Sequence, residues 1–214
     1  MLDLLQSGGI FMYFILGVSV IALALFCERA SFLFFRLKLN TDHALQKILV
    51  LLEKMNYHGA IEECSRMEKH PLGRILKAGL LKSDRKDKEI ERALEENIMR
   101  EVPLIRMRIN YLALFANIST LLGLLGTIHG LIIAFQGVSS ANAAMKQEIL
   151  ANGISTAMQT TAFGLIVAIP CLVAYYILNN RGNYLIDQFE EKAYRLFNVL
   201  CSLKKDKETL STNP

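Results

Sequence analysis

Three long stretches without a charged side chain constrain this chain more than any other feature. They cover residues 4–27, 109–145 and 149–180 of a chain of 214 residues. A helix needs about 20 apolar residues to cross the hydrocarbon core of a bilayer, so each stretch is long enough for one crossing. The sequence therefore predicts an all-α protein with three transmembrane helices and long helices that extend into a cytoplasmic helical region.

The first stretch lies close to Met1, which raises the alternative of a cleaved signal peptide. Such a peptide has a basic segment before its apolar core and small residues at its cleavage site. Here Asp3 precedes the apolar run, no Lys or Arg occurs before Arg29, and the run ends at Cys27. We therefore predict a retained transmembrane helix at Ile10–Phe26.

The distribution of basic residues predicts the orientation. Of the 24 Lys and Arg residues, 23 lie between Cys27 and Arg108 or after Asn180, and one lies between the second and third spans. Segments rich in Lys and Arg that flank transmembrane helices stay in the cytoplasm. We expect a multi-pass protein of the bacterial inner (cytoplasmic) membrane, with the N-terminus and the loop Ser139–Gln147 periplasmic and the C-terminus cytoplasmic.

These boundaries divide the chain into four predicted parts. Residues 1–27 are the periplasmic N-terminus and first transmembrane helix, and residues 28–108 are a cytoplasmic helical region. Residues 109–180 hold the second and third transmembrane helices with a short periplasmic loop, and residues 181–214 are a cytoplasmic C-terminal helix and tail. Apolar residues recur in this last part at helical spacing and predict a buried stripe, which consists of Leu185, Phe189, Ala193, Leu196 and Leu200.

Within the cytoplasmic region, turn-forming residues separate short helices. Asn56–Gly59 predicts a turn between two helices, and Pro71 predicts a break before a third. From Lys86 onward, apolar residues recur every three or four positions up to the second span. We therefore expect one helix from Lys86 to Phe135, in which Pro103 is the candidate position of a kink.

Hydroxyl and amide side chains cluster in the second and third uncharged stretches. Helix packing explains any single one of them, because Ser, Thr and Gly are common in transmembrane interfaces. The whole set is more typical of a polar or hydrated lining. The candidate lining residues are Asn117, Thr120, Thr127, Thr156, Thr160 and Thr161.

Small residues in the same two stretches predict close helix packing. Gly126 and Gly130 form a GxxxG pair, which lets two helices approach closely. Gly164 belongs to a stripe of small residues in the third stretch, and Thr161 is the polar member of that stripe.

His129 is the one ionisable side chain deep in a predicted span. Ionisable residues inside a membrane are candidates for function, and the alternative is a histidine near the outer boundary that bonds to a carbonyl. The predicted spans contain no Asp or Glu. If protons cross the membrane here, their carboxylate acceptor must come from a partner protein.

Other protein classes receive no support from the sequence. It has no phosphate-binding loop, zinc-protease motif or nucleophile elbow, and no inverted repeat typical of a secondary transporter. His58, Cys64 and His70 are spaced by six residues, which matches no zinc pattern. We predict no enzymatic activity, no cofactor and no metal site. Acidic and basic residues alternate outside the spans, so the net charge of +4 does not indicate nucleic-acid binding.

Two segments carry a resemblance to a known family. Residues 122–130 read LGLLGTIHG and residues 153–170 read GISTAMQTTAFGLIVAIP. Both resemble the conserved patterns of the MotA/TolQ/ExbB proton-channel superfamily, and residues 70–80 are similar to its cytoplasmic region. Three predicted spans favour the ExbB/TolQ branch, since MotA has four.

The resemblance implies a homopentamer whose second and third spans line a central pore. That pore would hold the single span of an ExbD/TolR-like partner with a proton-accepting Asp, and Thr127 and Thr161 would face it. Two positions depart from the pattern. Thr156 stands where many ExbB and TolQ proteins have Glu, so a proton role does not carry over to it. His129 stands where an aromatic residue is frequent, so the resemblance leaves its role open.

The implied function is that of a pore-forming subunit of a proton-driven motor of the inner membrane. It would use the proton motive force to energise envelope transport, envelope constriction or motility. Its expected partners are further copies of itself, the ExbD/TolR-like protein, a TonB- or TolA-like protein and membrane lipids. The alternative is a scaffold protein that packs helices in the membrane and conducts no ions.

Overall fold

The computed structural model describes residues 10–37, 41–140 and 142–212. Residues 1–9, which belong to the predicted periplasmic N-terminus, lie outside this part of the chain. Every regular element that it describes is helical, which confirms the all-α prediction. A π-helical turn, Phe32–Arg36, follows the first helix. The α-helices are α1 (Ile10–Ser31), α2 (Thr41–Glu53), α3 (Tyr57–Arg66), α4 (Pro71–Leu80), α5 (Asp87–Arg106), α6 (Ile109–Ser140) and α7 (Ala143–Thr212).

Three helical segments of the described chain are long and apolar enough to cross a membrane. They lie within Ile10–Glu53, Asp87–Ser139 and Ala144–Lys205. The apolar parts of these segments belong to α1, α6 and the first half of α7, where the sequence predicts the three spans. The C-terminal part predicted as helix and tail is helical as far as Thr212.

The chain divides into two compact units. The membrane unit comprises Met1–Ser31 and Arg108–Asn179, and the extramembrane unit comprises Phe32–Met107 and Asn180–Pro214. In the membrane unit, α1 packs against α6. In the extramembrane unit, α2 packs against α3, α3 against α4, and α4 against α5.

The predicted apolar stripe of α7 is buried in the extramembrane unit, and its partners belong to the same chain. The ring of Phe189 meets the ring of His70 edge-on, with centroids 5.6 Å apart. Thr41 Oγ1 bonds to Gln188 at 3.3 Å, which ties the start of α2 to α7. Five side chains of the stripe are at most 4% exposed: Leu185, Phe189, Ala193, Leu196 and Leu200.

The breaks predicted between the short helices are present, but the first lies at Lys54–Asn56, and the predicted turn residues Tyr57–Gly59 already belong to α3. Met55 adopts a left-handed conformation with φ of 56°, and the Asn56 side chain then caps α3 by accepting a hydrogen bond from the Gly59 amide at 2.9 Å. His70 caps α4, which starts at Pro71, because its Nδ1 accepts a hydrogen bond from the Leu72 amide. A proline suits the first turn of a helix, where its missing N–H would have no partner in any case.

The predicted continuous helix from Lys86 to Phe135 is wrong. The chain breaks at Met107 and Arg108, between α5 and α6, while Pro103 lies inside α5. Arg108 has a φ of 65°, which lies in the left-handed region. This conformation is energetically unfavourable for any residue that has a Cβ atom. In the membrane unit its guanidinium donates to both carboxylate oxygens of Glu28, at 2.7 and 3.0 Å, and this ion pair favours the break.

Candidate functional site

The helices α6 and α7 meet in the membrane unit along a seam of small residues. Gly123 lies beside Gly164, Gly130 beside Ala157, and Ala134 beside Gly153. This reversed order shows that the two helices run in opposite directions. Since these residues have small or absent side chains, the two backbones approach closely.

Three glycines of the seam occupy positions that a Cβ atom would disturb. A Cβ on Gly126 would collide with the methyl group of Thr160. One on Gly130 would lie 3.1 Å from the Cβ of Ala157, and one on Gly164 would lie 2.7 Å from the carbonyl oxygen of Ser119. The predicted packing residues Gly126, Gly130 and Gly164 thus all lie where α6 and α7 are closest.

The consecutive threonines Thr160 and Thr161 both belong to this seam. Thr160 is 1% exposed, and its hydroxyl donates to the carbonyl of Thr156 on its own helix at 3.0 Å. Thr161 is half-buried, and its hydroxyl crosses the seam to donate to the carbonyl of Gly123 at 3.0 Å. Thr160 therefore fills space between the helices, while Thr161 lies at the edge of the seam and links them.

Three polar residues of α6 lie on one flank of the seam. At about 100° per residue, Thr127, Thr120 and Asn117 lie about 40°, 60° and 120° around the helix from Gly123, all in the same direction. The hydroxyls of Thr127 and Thr120 donate to backbone carbonyls one turn earlier, so both side chains are satisfied within their helix.

Thr161 lies on the same flank of the helix pair. It is about 60° around α7 from Gly164, in the same rotational direction as Thr127 is from Gly123. Because α6 and α7 face each other and run in opposite directions, equal rotations bring side chains to the same side of the pair. Asn117, Thr120, Thr127 and Thr161 therefore share one face of the membrane unit.

The first helix packs on the opposite flank. Phe11 of α1 contacts His129 of α6 edge-on, with ring centroids 5.3 Å apart. His129 lies about 120° around α6 from Gly123, in the direction away from Thr127. The threonine flank is thus not the face that α1 covers, and His129 stands at the junction of α1 and α6.

Thr156 does not share the threonine flank. It precedes Thr161 by five residues, which places it about 140° away on α7. Of the six predicted lining residues, four therefore share one flank, Thr160 packs in the seam, and Thr156 lies on the other flank.

Ser119 is a polar residue of the seam that the sequence prediction missed. It is fully buried, and its Oγ has no hydrogen-bond partner among the described residues. Its spacing of four from Gly123 repeats the small-xxx-small pattern of Gly126 and Gly130. That pattern would have identified Ser119 as a packing residue, whereas no sequence pattern indicates that its hydroxyl is unsatisfied.

The chemistry available on the threonine flank is limited to hydroxyl, amide and carbonyl groups. Residues 109–145 and 149–180 contain no Asp or Glu. In the part of the chain that the structure describes, no group of three or more His, Cys, Asp or Glu side chains could hold a metal ion. The flank can offer hydrogen bonds to a charged group but does not itself provide a carboxylate.

Comparison with known proteins identifies the family. The model of the MotA/TolQ/ExbB proton channel family matches residues 67–191, which include α4, α5, α6 and most of α7. The chain belongs to this family. The predicted superfamily is thereby confirmed, and with it a multi-pass protein of the inner membrane that is not an enzyme.

Several relatives resemble the chain over most or part of its length. A putative biopolymer transport protein ExbB-like 3 of Synechocystis is 33% identical over 78% of this chain and 80% of its own. A putative biopolymer transport protein ExbB homolog of Methanothermobacter thermautotrophicus is 28% identical over 88% of this chain and 66% of its own. The Tol-Pal system protein TolQ of Haemophilus influenzae is 39% identical over 43% of this chain and 40% of its own.

Proposed function

We propose that the protein is the pore-forming subunit of a proton-driven motor of the inner membrane. Five copies would surround a central pore that holds the single transmembrane helix, or helices, of an ExbD/TolR-like partner. The assembly would use the proton motive force to energise envelope transport, envelope constriction or motility, through contact with a TonB- or TolA-like protein where the machine contains one.

The observation that supports this proposal best is the threonine flank. Thr127 and Thr161 come from antiparallel helices and share one side of the pair, away from the side that α1 covers. A face that a monomer leaves open, and that carries Asn117 and Thr120 as well, suits the lining of a pore better than contact with lipid. Polar side chains in a span tend to face a bundle interior or a hydrated cavity.

The absence of acidic residues from the predicted spans defines what the partner must supply. A proton needs a titratable acceptor in the membrane, and this chain has no Asp or Glu between Ile149 and Asn180 or between Ile109 and Met145. We infer that a carboxylate of the partner helix receives the proton. The hydroxyls of Thr127 and Thr161 donate to the carbonyls of Leu124 and Gly123 in the chain alone. They would turn from these carbonyls to donate to the charged form and so lower the cost of holding it in the bilayer.

Protonation drives movement in this scheme by removing that charge. A carboxylate prefers contact with the hydroxyls of the flank, whereas the neutral acid tolerates the apolar parts of the pore. Protons that enter from the periplasmic side and leave to the cytoplasm would therefore shift the partner helix relative to the pentamer. The relative movement is the work that the motor delivers.

Composition is the first test. The complex is extracted in a mild detergent with its own partners, and native mass spectrometry gives its mass. We expect five copies of this chain together with a small single-span protein that has an Asp in its span. A stable monomer or dimer without such a protein would favour the non-conducting scaffold.

Proton flux is the second test. The complex is reconstituted into liposomes that contain a pH-sensitive dye, and a membrane potential drives protons inward. Thr127→Val keeps the side-chain shape but removes the hydroxyl, so we expect flux to fall by about ten-fold or more, the effect of a lost hydrogen bond to a charged group. Thr127→Ser keeps the hydroxyl and should keep the flux. Equal flux in the two variants would argue against a lining role for Thr127.

A further inference from the structure

An apolar groove runs between α5 and α7 in the extramembrane unit. Its volume is about 410 Å³. Leu94 and Ala193, which are 4% and 2% exposed, lie at its base. Met99 and Tyr194 line it as well but are 72% and 53% exposed. Large apolar side chains that stay this accessible indicate a surface that binds another molecule.

Three carboxylates line the same groove, and no Lys, Arg or His does. Glu91, Glu95 and Glu190 are exposed, and they have no ion-pair partner within the described residues. Their neighbours on the same helices are paired: Glu96 with Arg100 at 2.6 Å, and Glu191 with Arg195 at 3.0 Å. The lining of the groove is therefore acidic, although the chain as a whole has a net charge of +4.

The groove has the length of a short helix. Its lining on α5 extends from Glu91 to Pro103, about 18 Å at 1.5 Å per residue, which matches about three helical turns.

We propose that this groove binds a basic amphipathic helix of a partner protein. Apolar side chains of that helix at positions i, i+3 or i+4, and i+7 would fill the space above Leu94 and Ala193. Its Lys or Arg residues would pair with Glu91, Glu95 and Glu190. The flexible side chain of Met99 adapts to such anchors, as methionines do in other helix-binding grooves.

The negative charge of the groove determines which kind of helix can bind there. An acidic or neutral helix would leave the three carboxylates unpaired or repelled, and like charges in an interface exclude a partner. Two copies of this chain that paired across the groove by a two-fold axis would set these glutamates against one another. In the proposed ring of five copies a neighbour would present a different surface, so charge alone does not exclude it. We take a different chain as the occupant, and a crosslink to a second copy would overturn that choice. The inference does not depend on whether the membrane unit conducts protons.

Photocrosslinking in the host membrane tests the proposal with the full chain. The photoreactive residue p-benzoylphenylalanine replaces Met99 in the groove, and in a control chain it replaces Leu81, which is 57% exposed and does not line the groove. Mass spectrometry of the crosslinked peptide identifies the partner segment. We expect a crosslink from position 99, and none from position 81, to a segment of another protein with Lys or Arg beside apolar residues at helical spacing.

Removal of the groove charges is the second part of the test. Glu91→Gln, Glu95→Gln and Glu190→Gln together should lower the yield of this crosslink by about ten-fold, because three charge pairs are lost. Glu89→Gln, Glu96→Gln and Asp187→Asn remove the same number of charges from α5 and α7 outside the groove, and should leave the yield unchanged. A crosslink to a second copy of this chain, no crosslink from position 99, or equal yields in the two triple variants would overturn the proposal.

Discussion

Arg74 and Glu101 form an ion pair with two hydrogen bonds between α4 and α5. The Nε and Nη2 atoms of Arg74 donate to the two carboxylate oxygens of Glu101, both at 2.6 Å. The Glu101 side chain is 9% exposed and that of Arg74 is 37% exposed. The carboxylate is thus shielded from water, while solvent screens part of the attraction at the guanidinium.

We predict that Glu101→Gln lowers the free energy of unfolding of the extramembrane unit by about 1–2 kcal/mol, because a charge-assisted pair is replaced by weaker bonds. Cys64 provides the measurement. Its thiol is fully buried, and burial raises its pKa to about 12, so a thiol reagent modifies it only after this unit opens. The midpoint temperature of Cys64 labelling, with the other three cysteines changed to Ser, should fall.

Glu96→Gln on the same helix is the matched control for that variant. Glu96 pairs with Arg100 at 2.6 Å, but both side chains are more than half exposed. An exposed pair at this spacing contributes about 0.5 kcal/mol or less. A shift as large for Glu96→Gln as for Glu101→Gln would contradict the buried role of the Arg74–Glu101 pair.

His70 gives the extramembrane unit a dependence on pH. Burial holds the pKa of this imidazole below its ordinary value of 6.5, and the Leu72 amide donates to its Nδ1. The folded unit therefore favours the neutral ring, whereas the unfolded chain takes up a proton at ordinary pH values. Stability is complete above about pH 6.5 and falls as the pH decreases from there towards the lowered pKa of the folded state.

We predict that His70→Asn removes this decrease of stability with decreasing pH. Asn also caps a helix but does not titrate, so the variant should be less stable at pH 7.5, through loss of the Phe189 contact, yet should lose less stability on going to pH 5.5. The midpoint temperatures of unfolding of the extramembrane unit at pH 7.5 and pH 5.5 measure this loss of stability. His58→Asn, at an exposed position, should keep the slope of the wild type. An unchanged slope in His70→Asn would rule out His70 as its source.

At the scale of elements, the seam between α6 and α7 depends on the absence of side chains. A Cβ on Gly164 would lie 2.7 Å from the carbonyl oxygen of Ser119, and a backbone atom cannot move aside cheaply. We predict that Gly164→Ala destabilises the membrane unit by about 1–3 kcal/mol through overpacking. Labelling of Cys171, which is 9% exposed, reports on this unit when the other cysteines are changed to Ser.

Gly17→Ala is the control for that variant. A Cβ on Gly17 of α1 has nothing within 4 Å in the described structure. Because Ala favours a helix more than Gly does, Gly17→Ala should be neutral or slightly stabilising. Since helix propensity favours Ala at both positions, an equal loss of stability in the two variants would contradict the specific role of the seam at Gly164.

The elements show where sequence patterns suffice and where they do not. Periodic apolar residues predicted the buried stripe of α7, and GxxxG spacing predicted close packing at Gly126, because burial at one helix face leaves a repeat in the sequence. No repeat or motif in the sequence indicates the break at Arg108. It depends on a left-handed residue with a Cβ and an ion pair to Glu28, 80 positions earlier, and neither follows from local composition.

The same limit applies to the candidate site. The sequence identified the threonines of both spans, but a list of polar residues does not say which flank each one occupies. That assignment needs the rotation of α6 against α7, which the Gly123–Gly164 and Gly130–Ala157 contacts fix. Only with this rotation known can Thr161 be assigned to the threonine flank, Thr156 to the other flank and Thr160 to the seam.

At the scale of the whole molecule, the distribution of charge predicts which side of the membrane each unit occupies. The extramembrane unit holds most of the Lys and Arg residues, whereas the segment between the second and third spans holds only Lys146. Basic flanking segments resist transfer across the inner membrane. We therefore expect the extramembrane unit in the cytoplasm and the connection between α6 and α7 in the periplasm.

Cysteine labelling in intact cells measures this orientation. In a chain whose own four cysteines are changed to Ser, Asn142→Cys lies between α6 and α7, and Asn198→Cys lies in the part of α7 that belongs to the extramembrane unit; both positions are exposed. A maleimide that cannot cross the inner membrane should modify position 142 in intact cells and position 198 only after lysis. Both variants replace an asparagine by a cysteine, so a difference in labelling does not come from the type of substitution. Labelling of position 198 in intact cells would reverse the orientation, and the proposed entry and exit of protons with it.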